Sequence, residues 1–139
     1  MELILEKYRY IAKTKGLHFG TNTANADLCY FSDPDAVTLF GNILDNAVEA
    51  AERSEKGFIT LNLRKTNNFD MLSCINSCDI QPIIMNGELQ SSKSDGYAHG
   101  YGIKSIKRIV KKYNGEMHWA FNSEEKTFTI EAAFFINEK

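Results

Sequence analysis

The stretch from Phe40 to Ala51, FGNILDNAVEAA, constrains this chain more than any other. On a helix, at about 100° per residue, Asn42, Asp45, Asn46 and Glu49 fall on one narrow polar stripe. Leu39, Phe40, Ile43, Leu44, Ala47, Val48, Ala50 and Ala51 cover the opposite half of the cylinder. Ser32-Asp33-Pro34 supplies a cap and a proline where a first turn tolerates one, and the helix should close near Lys56-Gly57. The polar stripe has two readings, a solvated face or a binding surface. A solvated face is cheapest when built from Glu, Lys and Arg. Each Asn costs up to roughly 0.7 kcal/mol against Ala, and Gly41 up to about 1 kcal/mol more. Short amides and carboxylates, none of them basic, suit a hard cation that takes oxygen ligands and keeps several waters. Magnesium carried by a phosphorylated nucleotide fits that description.

The rest of the composition narrows the class. At 139 residues the chain is one domain, long enough to bury close to ~68% of its unfolded surface without staples. Hydrophobic residues make up 43% and charged residues 24%, which is ordinary for a globular protein. The net charge is −2, so no overall basic field draws the chain onto nucleic acid. Three cysteines without paired spacing argue for reduced thiols in a cytosolic setting. With three histidines and no CxxC, the Cys74 and Cys78 pair does not make a zinc set. No apolar run approaches the ~20 residues of a membrane span, and no signal peptide is visible. The expectation is a cytoplasmic domain without direct membrane contact, any anchor of the parent protein lying in other segments.

Along the chain, Leu3 to Lys15 reads as a short helix ended by Gly16. Leu17 to Thr21 and Leu28 to Phe31 read as short strands. After the asparagine helix, Phe58 to Lys65 alternates well and can pair with Phe69 to Ile75 across Asn67-Asn68. Ser77 to Gly102 carries little periodicity, and a stretch of that length is more often a functional lid than a connector. Gly102 to Tyr113 is a second amphipathic helix, with Ile103, Ile106, Ile109, Val110 and Tyr113 inward and Lys104, Lys107, Arg108, Lys111 and Lys112 outward; Asn114-Gly115 stops it. Met117 to Phe121 and Thr127 to Ile136 make a closing hairpin. Strands and helices cluster instead of alternating strictly. The expected fold class is therefore α+β: a two-layer sandwich of a mixed or antiparallel sheet with helices on one face.

His99-Gly100-Tyr101-Gly102-Ile103 opens the second helix, where free backbone N–H groups and the positive end of the dipole can cradle a phosphate. A flexible loop ending at a helix is the plainer reading, and a bare GxG is a weak signal. The segment is not a dinucleotide fingerprint, because no buried strand precedes it. Nor is it a Walker A loop, because its lysine does not follow a glycine directly.

The order of these segments resembles the catalytic ATP-binding domain of sensor histidine kinases. FGNILDNAVEAA comes first, then a strand ending in Ile75-Asn76-Ser77, then HGYGIKSIKRIVKKYNG. This is the GHKL ATPase superfamily, and within it the chain is most similar to the quorum-sensing, peptide-sensing branch. The likeness runs from about Gly16 to Ile136, leaving residues 1–15 as an N-terminal helix and possible tail of an upstream dimerisation hairpin. It implies a Bergerat-type ATP site under a mobile lid, with Mg2+ bridging protein and phosphates. Asn46 matches the metal-ligating asparagine, and Asn42 would touch the metal or the phosphates. Asn76 stands where the family has the aspartate that accepts from the adenine amino group; its amide oxygen can accept the same bond, and Asp79 is a rival. Gly100 and Gly102 match the second glycine box under the phosphates, with Lys93 and Lys104 as candidate phosphate partners or plain solvated lysines. Thr127 matches a threonine near the adenine.

The resemblance also implies partners. The family's phosphoacceptor histidine sits on a separate helical hairpin. His18, His99 and His118 fall in a strand, the glycine loop and another strand, so none occupies an exposed helix. The expected activity is transfer of the γ-phosphoryl of ATP to a histidine on the dimerisation domain of the parent kinase, with a response regulator downstream. Two alternatives remain open: a GHKL module that binds ATP as a regulatory partner, and an anti-sigma-factor-type serine kinase.

Overall fold

A computed structural model describes residues 2–23, 31–66, 68–85, 88–90 and 101–135. In chain order the elements are α1 Glu2–Thr14, β1 His18–Asn22, α2 Asp33–Glu52, β2 Phe58–Lys65, β3 Phe69–Ser77, β4 Ile83–Met85, β5 Glu88–Gln90, α3 Tyr101–Lys112, β6 Gly115–Asn122 and β7 Thr127–Phe135. Five strands form the main sheet in the order β1-β2-β3-β7-β6. β1 runs parallel to β2 and every other pair is antiparallel, so the sheet is mixed, as expected.

Strand alternation decides which face the helices cover. Across one row of the register stand Leu61, Cys74 and Ile130, and across another Leu63, Leu72 and Ala132; all are buried. One residue along, Asn62, Ser73 and Glu131 stand on the opposite, helix-free face. Onto the apolar face α2 lays Leu39, Phe40, Ile43, Leu44, Ala47, Val48 and Ala51, all buried. Each fully buried Leu, Ile or Phe contributes roughly 1.5–3 kcal/mol. This layer therefore holds α2 in a single rotational setting. Ile103, Ile106, Ile109 and Val110 of α3 join the same core, as do Leu5 and Tyr8 of α1.

Local signals set the element ends. Ser32 caps α2, its Oγ accepting from the Asp35 amide at 3.3 Å, with Pro34 in the first turn. The helix ends at Glu52, short of the expected Lys56-Gly57, and the Ser54 hydroxyl donates to the Ala51 carbonyl at 2.7 Å. After α3, Asn114 takes the left-handed conformation (φ 59°) and Gly115 starts β6. A Cβ at Gly115 would lie 2.7 Å from the Ala133 carbonyl oxygen, so only glycine lets the two strands meet there.

Two further expectations differ from the structure. Phe31 is not strand but a buried bend residue, its ring 4.5 Å from Tyr113 and 5.1 Å from Phe134; residues 28–30 lie outside the described residues. The supposedly aperiodic stretch after Ser77 contains β4 and β5, which pair with each other as a separate antiparallel ribbon. Strands of three residues are shorter than any window in which a period of two can be read.

One buried carboxylate joins α2 and α3. Asp35 in the first turn of α2 accepts from the Lys112 ammonium and the Tyr113 hydroxyl, both at 2.7 Å. The Tyr113 oxygen in turn accepts from the Ser32 amide at 3.1 Å. Lys112 first, then Tyr113, lowers the Asp35 carboxyl from its ordinary 3.8 to about 2. The folded pKa lies below the unfolded one, so this stabilisation is complete above about pH 4 and disappears as pH falls through about 2. Asp35→Asn should therefore melt below the wild type at pH 6, with the gap narrowing steadily from pH 4 to pH 2. A gap that stayed constant across that range, measured by thermal denaturation at each pH, would show that the carboxylate charge does not clamp the helices.

Candidate functional site

With the apolar half of α2 pressed on the sheet, its polar stripe emerges beside the start of α3. The Asn42 side-chain amide donates to the Thr38 carbonyl at 2.8 Å, which fixes the rotamer and leaves Oδ1 directed at Gly102. A Cβ built on Gly102 would lie 3.4 Å from Asn42 Oδ1 and 3.7 Å from Asn46 Nδ2. The start of α3 thus lies against both asparagines, with room at Gly102 for a Cβ at ordinary contact distance. The first turn of α3 carries no acidic residue, so no carboxylate within that turn offsets the positive end of its dipole. Backbone donors, a positive helix end and two amide side chains converge, a donor set suited to phosphate oxygens and an oxygen-seeking cation.

The stripe divides in a way its spacing does not reveal. Asp45 does not join Asn42 and Asn46; its Oδ1 accepts from the Tyr8 hydroxyl of α1 at 2.7 Å. The same hydroxyl lies 3.3 Å from the Gly41 carbonyl. Burial, and then Asp45, push the Tyr8 phenol above its ordinary value, so the hydroxyl keeps its proton and stays a donor. Among the described residues no group of three or more His, Cys, Asp or Glu could hold a metal. A magnesium ion held by one or two protein groups, phosphates and water would need no such cage, and the amide oxygens of Asn42 and Asn46 are chemically able to serve as such groups.

Asn76 is 3% exposed on β3, in register with Ile59 on one side and Phe128 on the other. Its Nδ2 donates to the Ser77 carbonyl at 2.9 Å, which leaves the amide oxygen as the acceptor it can offer a ligand. Asp79, its rival, holds the turn after α2, accepting from the Glu55 amide at 2.9 Å. Lys104 is exposed on the first turns of α3. Thr127 pairs with Ser77, one position along from the Asn76–Phe128 pair, but presents the other face. The strand pleat turns it away from the core-facing Phe128, and it lines a depression with Ile75, Ala120 and Thr129. Lys93, His99 and Gly100 lie outside the described residues. His18 and His118 are exposed on edge strands β1 and β6.

Two residues that reading by hydropathy passes over anchor this region. Tyr8 counts as an apolar position in α1, yet its hydroxyl reaches α2. Ser77 is fully buried directly after Asn76, within 2.6 Å of the Ser54 hydroxyl and accepting from the Phe58 amide at 2.9 Å. Two consecutive buried polar residues break the alternation of β3, and that break is the one signal available for them. Cys74 and Cys78 are not poised for chemistry. Burial pushes the Cys74 thiol up to about 12 and also raises Cys78, so neither is a ready thiolate. Among the described residues no helix is long and apolar enough to cross a membrane.

The profile of the GHKL domain family matches residues 33–134, from the start of α2 nearly to the end of β7. No curated protein sequence matches the chain. Among solved structures, the catalytic domain of the histidine kinase ThkA superposes with a TM-score of 0.70 at 19% identity, over 96% of this chain and 91% of that one. The mycobacterial sensor histidine kinase MprB gives 0.67 at 14% identity, over 96% and 92%. The Acinetobacter baumannii histidine kinase AdeS gives 0.69 at 13% identity, over 99% of this chain and 63% of that one. At these identities the likeness is one of fold, and the mixed sheet with its helix layer is the fold they share. The family profile covers the asparagine helix, the buried Asn76 strand and the Gly102 helix together, and on that ground the chain belongs to the GHKL domain family.

Proposed function

We propose that this domain binds ATP with magnesium and delivers the γ-phosphoryl group to a histidine held by the dimerisation domain of a parent kinase. The observation that carries the reading is Gly102 at the start of α3, set against the amides of Asn42 and Asn46. The first-turn amides of α3 receive phosphate oxygens, and Asn42 and Asn46 hold the metal. When bound, magnesium neutralises phosphate charge and orients the γ-phosphoryl group. In the reaction the bond from the γ-phosphorus to the bridging oxygen breaks, ADP leaves, and a phosphorus–nitrogen bond forms to the incoming imidazole. The imidazole nitrogen is itself the nucleophile. The asparagine amides cannot take a proton from water, so the pair favours transfer over hydrolysis. Positioning and charge neutralisation are then the whole of the domain's contribution.

The finer assignments follow from the same reading. Asn76 accepts from the adenine amino group, while guanine presents a carbonyl oxygen at that place. Lys104, Lys93 and Gly100 serve the phosphates, and Thr127 retains only its likeness to a threonine near the adenine. The N-terminal helix continues an upstream hairpin, a response regulator takes the phosphoryl group next, and the parent kinase belongs to the peptide-sensing branch. The domain works in the cytoplasm.

Three measurements test this. Mg-ATP at 100-fold above its Kd should stabilise the fold by about 2.7 kcal/mol, several degrees of melting temperature. Asn46→Ala should abolish most of the magnesium-dependent part. No shift with millimolar ATP, ADP or a non-hydrolysable analogue would sink the reading. Asn76→Leu, which leaves the adenine donor unpaired, should lose about 1–3 kcal/mol of ATP affinity with little change for GTP. Equal loss for both nucleotides would remove Asn76 from base selection. The isolated domain should not label itself with γ-phosphate, but should transfer it weakly in trans to a hairpin from its own full-length protein, because tethering normally supplies the effective concentration. The product should be acid-labile and base-stable. Acid-stable transfer to serine would replace the histidine-kinase reading with the anti-sigma type.

A further inference from the structure

Asp45 occupies the edge of the α2 polar stripe, about 60° around the helix from Asn42 and 100° from Asn46. It is a carboxylate beside two amides that face Gly102, at a site whose ligand carries several negative charges. Left without a donor it can rotate toward the asparagines, where it would repel phosphate or compete with it for the metal. The structure shows it held the other way. Tyr8, 2% exposed with its ring in the core, donates to Asp45 Oδ1 at 2.7 Å, and the Gly41 carbonyl lies 3.3 Å from the same hydroxyl. Gly41 and Asp45 immediately precede Asn42 and Asn46, so the hydroxyl meets α2 at the two turns that carry the asparagines. α1 is tied to the rest of the domain at further points: Arg9 donates to the Thr21 hydroxyl at 3.2 Å and Lys15 pairs with Glu52 at 3.0 Å.

We propose that Tyr8 is a positioning residue for the nucleotide site, its hydroxyl holding the Asp45 carboxylate on the α1 side of α2 and off the asparagine face. This rests on the magnesium-nucleotide reading above. It assigns α1 a part in ligand affinity exerted through Asp45. Any displacement of α1 that withdraws the hydroxyl releases the carboxylate toward the site and weakens nucleotide binding.

The test compares Mg-ATP affinity by calorimetry in the full chain and in variants whose folding is verified by urea denaturation. Tyr8→Phe keeps the ring in the core and removes the donor; it should weaken Mg-ATP binding at least threefold. Adding Asp45→Asn to it removes the misplaced charge and should restore affinity to within twofold of the wild type, although it cannot restore the lost hydrogen bond. A purely structural role for Tyr8 would not be rescued that way. Asp45→Glu, which leaves Tyr8 in place but carries its charge further along a longer stem, should weaken binding by a similar factor. Unchanged affinity in a folded Tyr8→Phe protein, or no recovery in the double variant, overturns the proposal. If Tyr8→Phe does not fold, Asp45→Glu decides alone, and unchanged affinity there overturns it. Failure of the wild type to bind Mg-ATP overturns the nucleotide reading instead.

Discussion

Burial of the apolar half of α2 against the sheet is the constraint from which the other features follow. Leu39, Phe40, Leu44 and Ala51 have no exposed surface, and Ile43 is nearly as enclosed. A helix packed over so wide an arc cannot turn about its axis without exposing several large side chains at once, each representing roughly 1.5–3 kcal/mol. Its polar stripe therefore has one possible direction. Two asparagines that stabilise an isolated helix poorly are tolerated because the opposite face holds the helix in place.

α3 is then fixed at both of its ends relative to α2. At the C-terminal end of α3, Lys112 and Tyr113 converge on Asp35 from the α2 first turn. At its N-terminal end, Gly102 approaches Asn42 and Asn46 further along α2. Between these points Ile103, Ile106, Ile109 and Val110 enter the shared core. Under the proposed reading the N-terminal end of α3 receives phosphate and must keep its place as ligands come and go, and this double attachment supports that rigidity. The electrostatics agree with it. The cations of α3 lie outward, its first turn carries no acid, and the Asp45 carboxylate between the asparagines in sequence is drawn aside by Tyr8.

Much of the fold was legible along the chain because its long elements are strongly periodic. β2, β3 and β7 alternate over eight or nine residues, and α2 spans twenty, so their type and facing could be read with little reference to the rest. What failed was short or aromatic. Ile83–Met85 and Glu88–Gln90 are too brief to show a period. Phe31 resembles a strand residue by composition, yet it is buried because Tyr113 and Phe134, far along the chain, close around it. For the site, Asn42 and Asn46 could be picked out because an amide pair is poor helix material and needs a reason. Asn76 could be placed by its order after them, whereas the role of Asp79 in the turn after α2 had no local mark.

The sequence by itself determined an asparagine-bearing amphipathic helix, a glycine at the start of a second helix, and a mixed α+β arrangement, since periodicity and capping chemistry act over a few residues. Only the tertiary structure decided which polar residues share a site. Asp45 lies on the same stripe as Asn42 and Asn46, but faces Tyr8 from a helix more than thirty residues away. Thr127 stands next to core-facing Phe128 and, by the pleat of β7, opens on the other side of the sheet. Hydrogen-bond partners and sheet faces depend on which elements meet in space, and that follows from the packing of the whole core instead of from the spacing of residues within one element.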